Sequence, residues 1–486
     1  MLDNNYRKGQ EHIGKYLLKK KKKTMEQTII QSTKDVLKKK VNFFEQQQKE
    51  RIITACKSDM KYAEVLAFIK NEIEMSEQDV SLNYNIKCWK TDGAFQFNKA
   101  VEEIFGSVRA ERDSGPSGSG NINTLDVILA DGSRTKVPFG RISLPELGED
   151  SYIELNYSNS ASELVITGVC KSKYQSMIDD IVDRTRELVA VNSIYKNQAL
   201  EITEKGKEPK RLNLSHIDGQ LMVLSKQTEF DLQPLRSRIL YPERCLKAGI
   251  PLKYGCLFEG KYGTGKTLLA FKLAREATKN NWTFIYLKNP SLLAETLRMV
   301  KIIDRSCNGV IVFVEDIDQV TRGERDASLQ DILNTLDGGD TKDMNVITLF
   351  TTNHIELIEP TFLRGKRIGS VVTMDCLDKE TALRFIKESF KDGYEIGELK
   401  ESLDLIEEME IAPAFMAEIV ESIKSKLIFA ETNLVTDDIL KNAVKAYDRQ
   451  VNLSRKKDMS MTPEKEFYQS MQTIMAEGIK QVLRGK

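Results

Sequence analysis

Apolar positions in the first part of the chain follow two different periods, which indicates a mixture of helices and strands. Residues 43–77 and 97–105 place apolar side chains at the spacing of an amphipathic helix. Strand-like runs flank Asp131 and Gly132, and an aspartate–glycine pair between such runs is the strongest short signal for a β-hairpin. Two more strand-like runs, SYIELNY and ELVITGV, precede the amphipathic stretch YQSMIDDIVDRTRELVAV. Together these elements predict an α+β domain over residues 46–197.

The pattern changes beyond residue 212, where short apolar runs alternate with helical stretches. Such alternation is typical of a parallel sheet whose strands are joined by crossover helices. The run GCLFE leads through a glycine-rich loop into the helical stretch KTLLAFKLAREA, and the later runs NGVIVFVEDID and NVITLFTTNH each end on polar residues. Because parallel strands end at one edge of their sheet, these polar ends are expected to lie side by side.

Composition restricts the possible classes of protein. The 486 residues are 41% apolar and 30% charged, and the 72 lysines and arginines equal the 72 aspartates and glutamates, so no net field attracts nucleic acid or membranes. Seven cysteines without a CxxC spacing indicate reduced thiols rather than a disulfide framework or a zinc site. No apolar run approaches the roughly 18 residues that span a bilayer, and no signal-peptide core is visible. We therefore expect a cytoplasmic protein that does not cross a membrane.

Lysines are concentrated near the start of the chain, at residues 19–23 and 38–40. This basic segment, residues 1–45, is suited to contacts with nucleic acid phosphates or with acidic partners. A solvated chain end is the favoured interpretation, because runs of like charge usually remain hydrated. The segment therefore leaves nucleic acid open as a partner without requiring it.

The stretch GKYGTGKT at residues 260–267 matches the full pattern of a phosphate-binding loop. Its glycines allow backbone N–H groups to approach phosphate oxygens, and the N-terminus of the following helix adds partial positive charge. Lys266 is predicted to neutralise the phosphates of ATP, and Thr267 to offer its hydroxyl to Mg²⁺. The predicted nucleotide-binding residues are Gly260, Gly263, Thr264, Gly265, Lys266, Thr267 and Leu268.

Two adjacent acids, Glu315 and Asp316, follow the next buried strand, whose end is expected to lie beside the phosphate loop. Glu315 would face Mg²⁺ as a metal ligand, and Asp316 would face the water that attacks the γ-phosphate. Nucleotide-hydrolysing strands usually end on aspartate and then glutamate, so the order here is inverted. An acidic loop that only solvates a strand end is the alternative interpretation. Asn353, at the end of a third strand, is suited to position the same water.

Two arginines, Arg364 and Arg367, follow this third strand in the stretch PTFLRGKRIG. Arginines at this place are suited to act as fingers that neutralise transition-state charge. Each arginine alone would more often be a surface salt-bridge partner. Their order and spacing relative to the other motifs favour the finger interpretation.

Taken in order, these motifs resemble those of the AAA family of ATPases. The similarity extends from ILYPERCLKAGIPLKYGCLFEGKYGTGKT through FIYLKNPSLL, VFVEDID and LFTTNHIELIEPTFLRGKR, and it continues into a helical lid. The resemblance implies a ring, usually a hexamer, with ATP bound between subunits. It assigns Lys266 and Thr267 to the nucleotide and Mg²⁺, Glu315 and Asp316 to the Walker B positions, Asn353 to sensor 1, and Arg364 and Arg367 to fingers that act in trans.

With this resemblance, the predicted fold is α/β: a P-loop AAA+ parallel-sheet domain with a helical lid, preceded by an α+β domain. The predicted segments are a basic N-terminal segment (1–45), an α+β partner-recognition domain (46–197), a linker (198–212), the large ATPase subdomain (213–376), the helical lid (377–455) and a C-terminal helix or tail (456–486).

Several positions depart from the family pattern. The usual Pro-Pro of the phosphate loop is Lys261-Tyr262, and Arg-Pro-Gly-Arg is replaced by Arg-Gly-Lys-Arg at 364–367. No arginine occupies the sensor 2 place around IAPAFMAEI in the lid. The order of glutamate before aspartate resembles the mitochondrial ATPases that translocate the Rieske protein. The stretch HIDG at 216–219 is a candidate for the loop beside adenine.

A further departure concerns the segment that grips polypeptide in AAA unfoldases. There, an aromatic residue, an apolar residue and glycine follow the sequence that corresponds to KNPSLL. The aligned positions here are Thr296, Leu297 and Arg298. We therefore expect no processive threading of generic unfolded proteins. Arg298 would either place positive charge in the pore or pair with an acid on its own helix.

The sequence thus predicts an ATP-hydrolysing motor that uses ATP and Mg²⁺ to remodel or translocate a macromolecule, with protein as the favoured substrate. Two alternatives remain open: a motor or loader that acts on nucleic acid, and an ATP-gated scaffold whose hydrolysis is incidental. ATPase activity that nucleic acid stimulates would favour the first alternative. Tight ATP binding without turnover would favour the second.

Overall fold

The computed structural model of this chain describes residues 50–51, 53–54, 62–110, 123–144, 147, 151–303, 307–321, 332–336, 344–364 and 367–447. The predicted basic segment at 1–45 and the predicted tail at 456–486 lie outside these residues. The chain forms two compact units, Met1–Lys196 with Glu204–Glu208 and Asn197–Thr203 with Pro209–Lys486. Within the described ranges, no helix combines the length and the apolar character needed to cross a bilayer.

The first unit combines helices with antiparallel strands, as its two apolar periods predict. Its helices are α1 (Tyr62–Ser76), α2 (Lys90–Phe105) and α3 (Gln175–Asn192). Its strands are β1 (Asp79–Lys87), β2 (Arg109–Ala110), β3 (Thr124–Ile128), β4 (Arg134–Pro138), β5 (Arg141–Ser143), β6 (Tyr152–Ser158) and β7 (Glu163–Lys171). Five of these strands form one antiparallel sheet in the order β1-β7-β6-β5-β2.

The remaining two strands, β3 and β4, form the predicted hairpin, which is therefore confirmed. Its turn contains Asp131 and Gly132. Gly132 has a φ of 87°, a backbone conformation that glycine adopts without a steric penalty. The carboxylate of Asp131 accepts a hydrogen bond of 2.9 Å from the backbone N–H of Ser133, which stabilises the turn.

One face of the five-stranded sheet forms the core of the first unit with α2 and α3. Burial alternates along β7, where Leu164 and Ile166 are buried and their neighbours are only partly covered. Phe97 of α2 and Ile181 of α3 are fully buried. Apolar residues at period two on the sheet and at helical period on the helices therefore bury one shared face.

The second unit is built on a sheet of seven strands, and its alternation with helices confirms the predicted α/β class. These strands are β8 (Ala199–Ile202), β9 (Lys210–Arg211), β10 (Tyr254–Glu259), β11 (Trp282–Leu287), β12 (Gly309–Val314), β13 (Val346–Thr352) and β14 (Ser370–Thr373). Their order is β14-β10-β13-β12-β11-β8-β9, and every neighbouring pair is parallel except β8 with β9. Strands β11, β12 and β13 are buried along their whole length, which explains their continuous apolar runs.

Helices alternate with the strands of this sheet along the chain, and further helices after β14 form the predicted lid. The helices before the lid whose bounds fall within the described residues include α4 (Lys226–Asp231), α5 (Gln233–Leu240), α6 (Pro242–Lys247), α7 (Lys266–Lys279), α8 (Leu293–Ile303) and α9 (Asp318–Thr321). The lid contains α10 (Lys379–Ser389), α11 (Glu401–Glu408), α12 (Pro413–Phe429) and α13 (Asp437–Ala446), with a short pair of strands, β15 (Glu395–Ile396) and β16 (Leu434–Val435). The lid has a core of its own, which includes Phe390, Ile406 and Ile419.

The stretch predicted as a linker, 198–212, contains two strands instead of unstructured chain. Strand β8 lies parallel to β11, with Leu200 beside Ile285, and both of these side chains are fully buried. Strand β9 then returns antiparallel to β8. The polar residues between these two strands indicated a linker. The burial of Leu200 instead favours pairing of this stretch with the sheet.

Candidate nucleotide-binding site

The strands β10, β12 and β13 end at the same edge of the sheet, and a cavity of about 930 Å³ opens there. The phosphate loop follows β10, the two acids follow β12, and Asn353 follows β13. Lid helices α10 and α12 also contribute residues to the cavity lining. The parallel register therefore brings together residues that lie far apart in the sequence, as the polar strand ends predict.

The phosphate loop has the backbone that its glycines require. Gly260, Gly263 and Gly265 have φ values of 150°, 81° and 95°, all outside the range that other residues adopt easily. A Cβ atom on Gly260 would also lie 2.2 Å from the carbonyl oxygen of Met374. Helix α7 begins at Lys266, directly after the loop, so its N-terminus faces the cavity.

Lys266 lies across this loop and is almost fully buried. Its Nζ donates hydrogen bonds to the carbonyl oxygens of Gly260 at 2.7 Å and of Lys261 at 2.8 Å. These contacts keep the buried ammonium hydrogen-bonded at the edge of the cavity. A lysine in this position provides the positive charge that phosphate oxygens need.

Thr267 and Glu315, the two predicted metal ligands, are in direct contact. The Thr267 hydroxyl donates a hydrogen bond of 2.6 Å to Oε1 of Glu315, and the Tyr286 hydroxyl donates to Oε2. Within the described part of the chain, no group of three His, Cys, Asp or Glu side chains is arranged to hold a metal. One hydroxyl and one carboxylate nevertheless fit Mg²⁺, which prefers oxygen ligands and usually retains water and substrate phosphates in its shell.

Tyr286 was not predicted as a site residue, because its position in an apolar strand suggested only packing. Burial, reinforced by the neighbouring carboxylate of Glu315, raises the pKa of the Tyr286 phenol well above its usual range. The phenol therefore stays protonated at physiological pH and acts as a hydrogen-bond donor to Glu315.

Asp316 and Asn353 also lie together at the cavity. Nδ2 of Asn353 donates a hydrogen bond of 3.2 Å to Oδ1 of Asp316, and the backbone N–H of Asp316 donates to the Thr351 hydroxyl at 3.1 Å. Asp316 has a φ of 47°, in the left-handed region that aspartate and asparagine tolerate better than most residues. Glu315 thus contacts Thr267, while Asp316 contacts Asn353.

Asp318 is the third acid of this segment, and its surroundings differ. Its side chain is buried beside β13, where it accepts a hydrogen bond of 3.0 Å from the Thr352 hydroxyl. This contact connects the start of α9 to the end of β13. Asp318 is therefore placed to support the strand ends.

The two predicted fingers differ from each other. Arg364 is exposed, whereas Arg367 is half-buried and its guanidinium donates a hydrogen bond to the carbonyl oxygen of Thr361. Neither arginine is among the described residues that line the cavity. Arg364 is therefore the more accessible of the two side chains.

Asp218 and Gly219, from the stretch predicted to lie beside adenine, line the same cavity, together with Leu221. The lid contributes the apolar side chains of Phe385 from α10 and Val420 from α12 as well as charged side chains. The sequence offered no signal for these two lid residues, because their period marks them only as the buried face of a helix.

The lid contacts the phosphate loop through a backbone hydrogen bond and an ion pair. The backbone N–H of Ala414 donates a hydrogen bond of 3.1 Å to the carbonyl oxygen of Gly263, and Lys261 forms an exposed ion pair of 2.7 Å with Glu410. A Cβ atom on Gly263 would lie 3.3 Å from the Cβ atom of Ala414. The small side chain of Ala414 therefore lies close to the phosphate loop.

Thr296 and Leu297, which align with the gripping segment of AAA unfoldases, are both buried. Only 3% of Thr296 and 1% of Leu297 is exposed, and both belong to α8. This helix begins directly after the short helical turn Pro290–Leu292, without an intervening loop. Both side chains instead pack into the protein, which prevents them from contacting a passing substrate.

Comparison with known protein families agrees with this geometry. Residues 256–376 match the model of the ATPase family associated with various cellular activities (AAA). The matched segment contains the phosphate loop, Glu315, Asp316, Asn353 and both arginines. The match does not separate the Rieske-protein translocases from other members, so that closer resemblance stays a prediction. The chain therefore carries a domain of the AAA ATPase family.

Proposed function

We propose that this protein hydrolyses ATP with Mg²⁺ and uses the energy to remodel or translocate a macromolecule, with protein as the favoured substrate. The observation that carries the proposal is the meeting of three strand ends at one cavity. Lys266 and Thr267 follow β10, Glu315 and Asp316 follow β12, and Asn353 follows β13. Residues suited to neutralise charge, bind a metal and position water therefore lie at a single site.

Each residue has a distinct role in the proposed reaction. Lys266 and the N-terminus of α7 bind the phosphates of ATP. Thr267 and Glu315 would hold Mg²⁺, which when bound stabilises the negative charge of the phosphates in the transition state. Asp316 orients the attacking water and accepts its proton, while Asn353 holds the carboxylate of Asp316 and contacts the same water.

We propose a ring, in which the exposed Arg364 reaches the ATP bound by a neighbouring subunit. A hexamer is the usual state of such rings and is the state proposed here. The alternative that the motor acts on nucleic acid rests on the lysines at 19–23 and 38–40, which lie outside the described residues.

Replacing Lys266 with alanine should weaken ATP binding about tenfold or more, because the buried cation of the phosphate loop is lost. Titration with a fluorescent ATP analogue measures the change. Lys279→Ala is a matched control, since Lys279 is an exposed lysine at the other end of the same helix. Equal ATP affinity in the parent protein and the Lys266→Ala variant would contradict the proposed site.

We also propose that residues 46–197 select the substrate and that the ring does not thread generic unfolded proteins. The crossover between β11 and β12, residues 288–308, contains no aromatic residue. Large aromatic side chains provide contact area at a low entropic cost, so their absence leaves a poor grip on a moving chain. Thr296 and Leu297 are buried and cannot replace them.

The full-length protein should therefore fail to unfold a tagged, stable fluorescent reporter while it hydrolyses ATP. The assay follows the loss of reporter fluorescence in the presence of ATP, with a known threading ATPase as the positive control. ATP-driven loss of fluorescence with this protein would exclude the proposed mode of action. The ATPase rate, measured in the same sample, shows that the motor is active.

A further inference from the structure

We infer that Tyr286 is a positioning residue of the nucleotide site: its hydroxyl holds the carboxylate of Glu315 toward the place of Mg²⁺. The inference rests on the proposed function, because it concerns the same site. It explains how a glutamate can serve in the metal-facing position that usually belongs to aspartate. Three features of the structure support it.

The first feature is the contact itself. Glu315 follows β12, and Tyr286 lies on the adjacent parallel strand β11, paired in register with Phe313. Because side chains alternate along a strand, Tyr286 lies on the same face of the sheet as Phe313 and Glu315. The Tyr286 hydroxyl donates to Oε2 of Glu315, while the Thr267 hydroxyl donates to Oε1. Both carboxylate oxygens therefore have a fixed donor.

The second feature is the rigidity of the donor. The Tyr286 ring stacks on Phe313 with a centroid distance of 5.5 Å and meets the edge of Phe271 at 5.3 Å. Only 5% of Tyr286 is exposed. Rings packed in this way have few alternative rotamers, so the hydroxyl group stays at one place beside the strand end.

The third feature is the length of the metal-facing side chain. Glutamate has one more methylene and one more rotatable bond than aspartate, and a free carboxylate would lose this mobility when a metal binds. Hydrogen bonds from Tyr286 and Thr267 remove that mobility before the metal arrives. Preorganisation of a ligand in this way increases affinity. Where glutamate takes the place of the shorter aspartate, the hydroxyl of Tyr286 on the neighbouring strand thus restrains the longer side chain.

The test is the dependence of nucleotide binding on Mg²⁺ in the Tyr286→Phe variant. This change keeps the ring and removes only the hydroxyl. We expect the Mg²⁺ concentration at half-saturation to rise about tenfold, since a hydrogen bond to a charged group is lost. Affinity for the ATP analogue in EDTA should remain equal to that of the parent protein. Titration of the full-length protein with a fluorescent ATP analogue provides both values.

A matched control separates this role from a purely structural one. Tyr195 is also buried and also donates its hydroxyl to a carboxylate, that of Glu208 in the first unit. Tyr195→Phe therefore removes the same kind of hydrogen bond at a place without a nucleotide site. We expect its Mg²⁺ half-saturation to equal that of the parent protein. An equal rise in both variants would contradict the inference, because a general loss of stability would then explain it.

A second variant keeps the inference testable if Tyr286→Phe does not fold. Glu315→Gln keeps the length of the side chain but removes the negative charge that the Tyr286 and Thr267 hydroxyl groups hold in place, and it should also raise the Mg²⁺ half-saturation about tenfold. In the double variant the two effects should not multiply, because both act on the same contact. The inference is overturned if the Mg²⁺ half-saturation rises in neither of the two single variants. If the parent protein shows no Mg²⁺-dependent binding at all, the proposed function fails first, and the role of Tyr286 fails with it.

Discussion

The Asp316→Asn variant should bind ATP about as tightly as the parent protein. It should hydrolyse ATP at least roughly 100-fold more slowly, a loss typical of a missing general base. Asparagine keeps the shape of the side chain but cannot accept a proton from water. It also tolerates the left-handed backbone of residue 316, so the strand end should remain intact. Steady-state phosphate release and ATP-analogue binding together measure the two quantities.

Asp318→Asn is the informative comparison. Asp318 is buried and accepts a hydrogen bond from Thr352, so its replacement should mainly lower the thermal unfolding temperature. If Asp316→Asn hydrolyses ATP at the parent rate while Asp318→Asn is inactive, the role of activating water belongs to Asp318. Glu315→Gln should differ from both, because it weakens the steps that depend on Mg²⁺.

Replacing Arg364 with alanine should slow hydrolysis about a thousandfold while ATP binding is retained, because an arginine finger supplies positive charge mainly in the transition state. Arg364 is exposed and is absent from the described lining of its own cavity, so we expect it to act on a neighbouring subunit. The parent activity should therefore increase with protein concentration as rings assemble. Phosphate release measured over a dilution series provides this dependence.

Mixed rings test whether the finger acts in trans. A Lys266→Ala subunit lacks its own phosphate-loop lysine but keeps Arg364, and an Arg364→Ala subunit has the opposite defect. Mixing the two creates one kind of interface with both groups intact, so some turnover should return. Rings that contain both subunits and remain inactive would count against a finger in trans.

Arg367→Ala should behave differently from Arg364→Ala. The guanidinium of Arg367 donates to the carbonyl oxygen of Thr361, and the side chain is half-buried. Its loss should lower the unfolding temperature as well as the ATPase rate, whereas Arg364→Ala should leave stability unchanged. Thermal unfolding of both variants separates a structural role from a finger role. The sequence alone predicted the finger role for both arginines.

The two strand-end acids contact different partners. The longer acid, Glu315, contacts Thr267, and the shorter acid, Asp316, contacts Asn353. An exchange of aspartate and glutamate moves each carboxylate by about one methylene, which a water-containing Mg²⁺ shell can absorb. The inverted order is therefore compatible with hydrolysis.

Local sequence alone determined the features that depend on the backbone of a few neighbouring residues. The phosphate loop was predictable because Gly260, Gly263 and Gly265 adopt φ values that suit glycine. The hairpin at Asp131 and Gly132 was predictable for the same reason. The buried parallel strands were predictable because both of their faces must be apolar, which leaves a continuous apolar run in the sequence.

Only the tertiary structure decided which distant residues meet. Leu200 joins the sheet because β8 pairs with β11, and the polar residues around it conceal that pairing. Tyr286 contacts Glu315 because β11 and β12 are neighbours in a particular register, and Thr296 and Leu297 lie buried on α8. Strand order, register and lid position arise from contacts between segments far apart in the chain. A periodic pattern reports which face of an element is buried, but it does not report which partner covers that face.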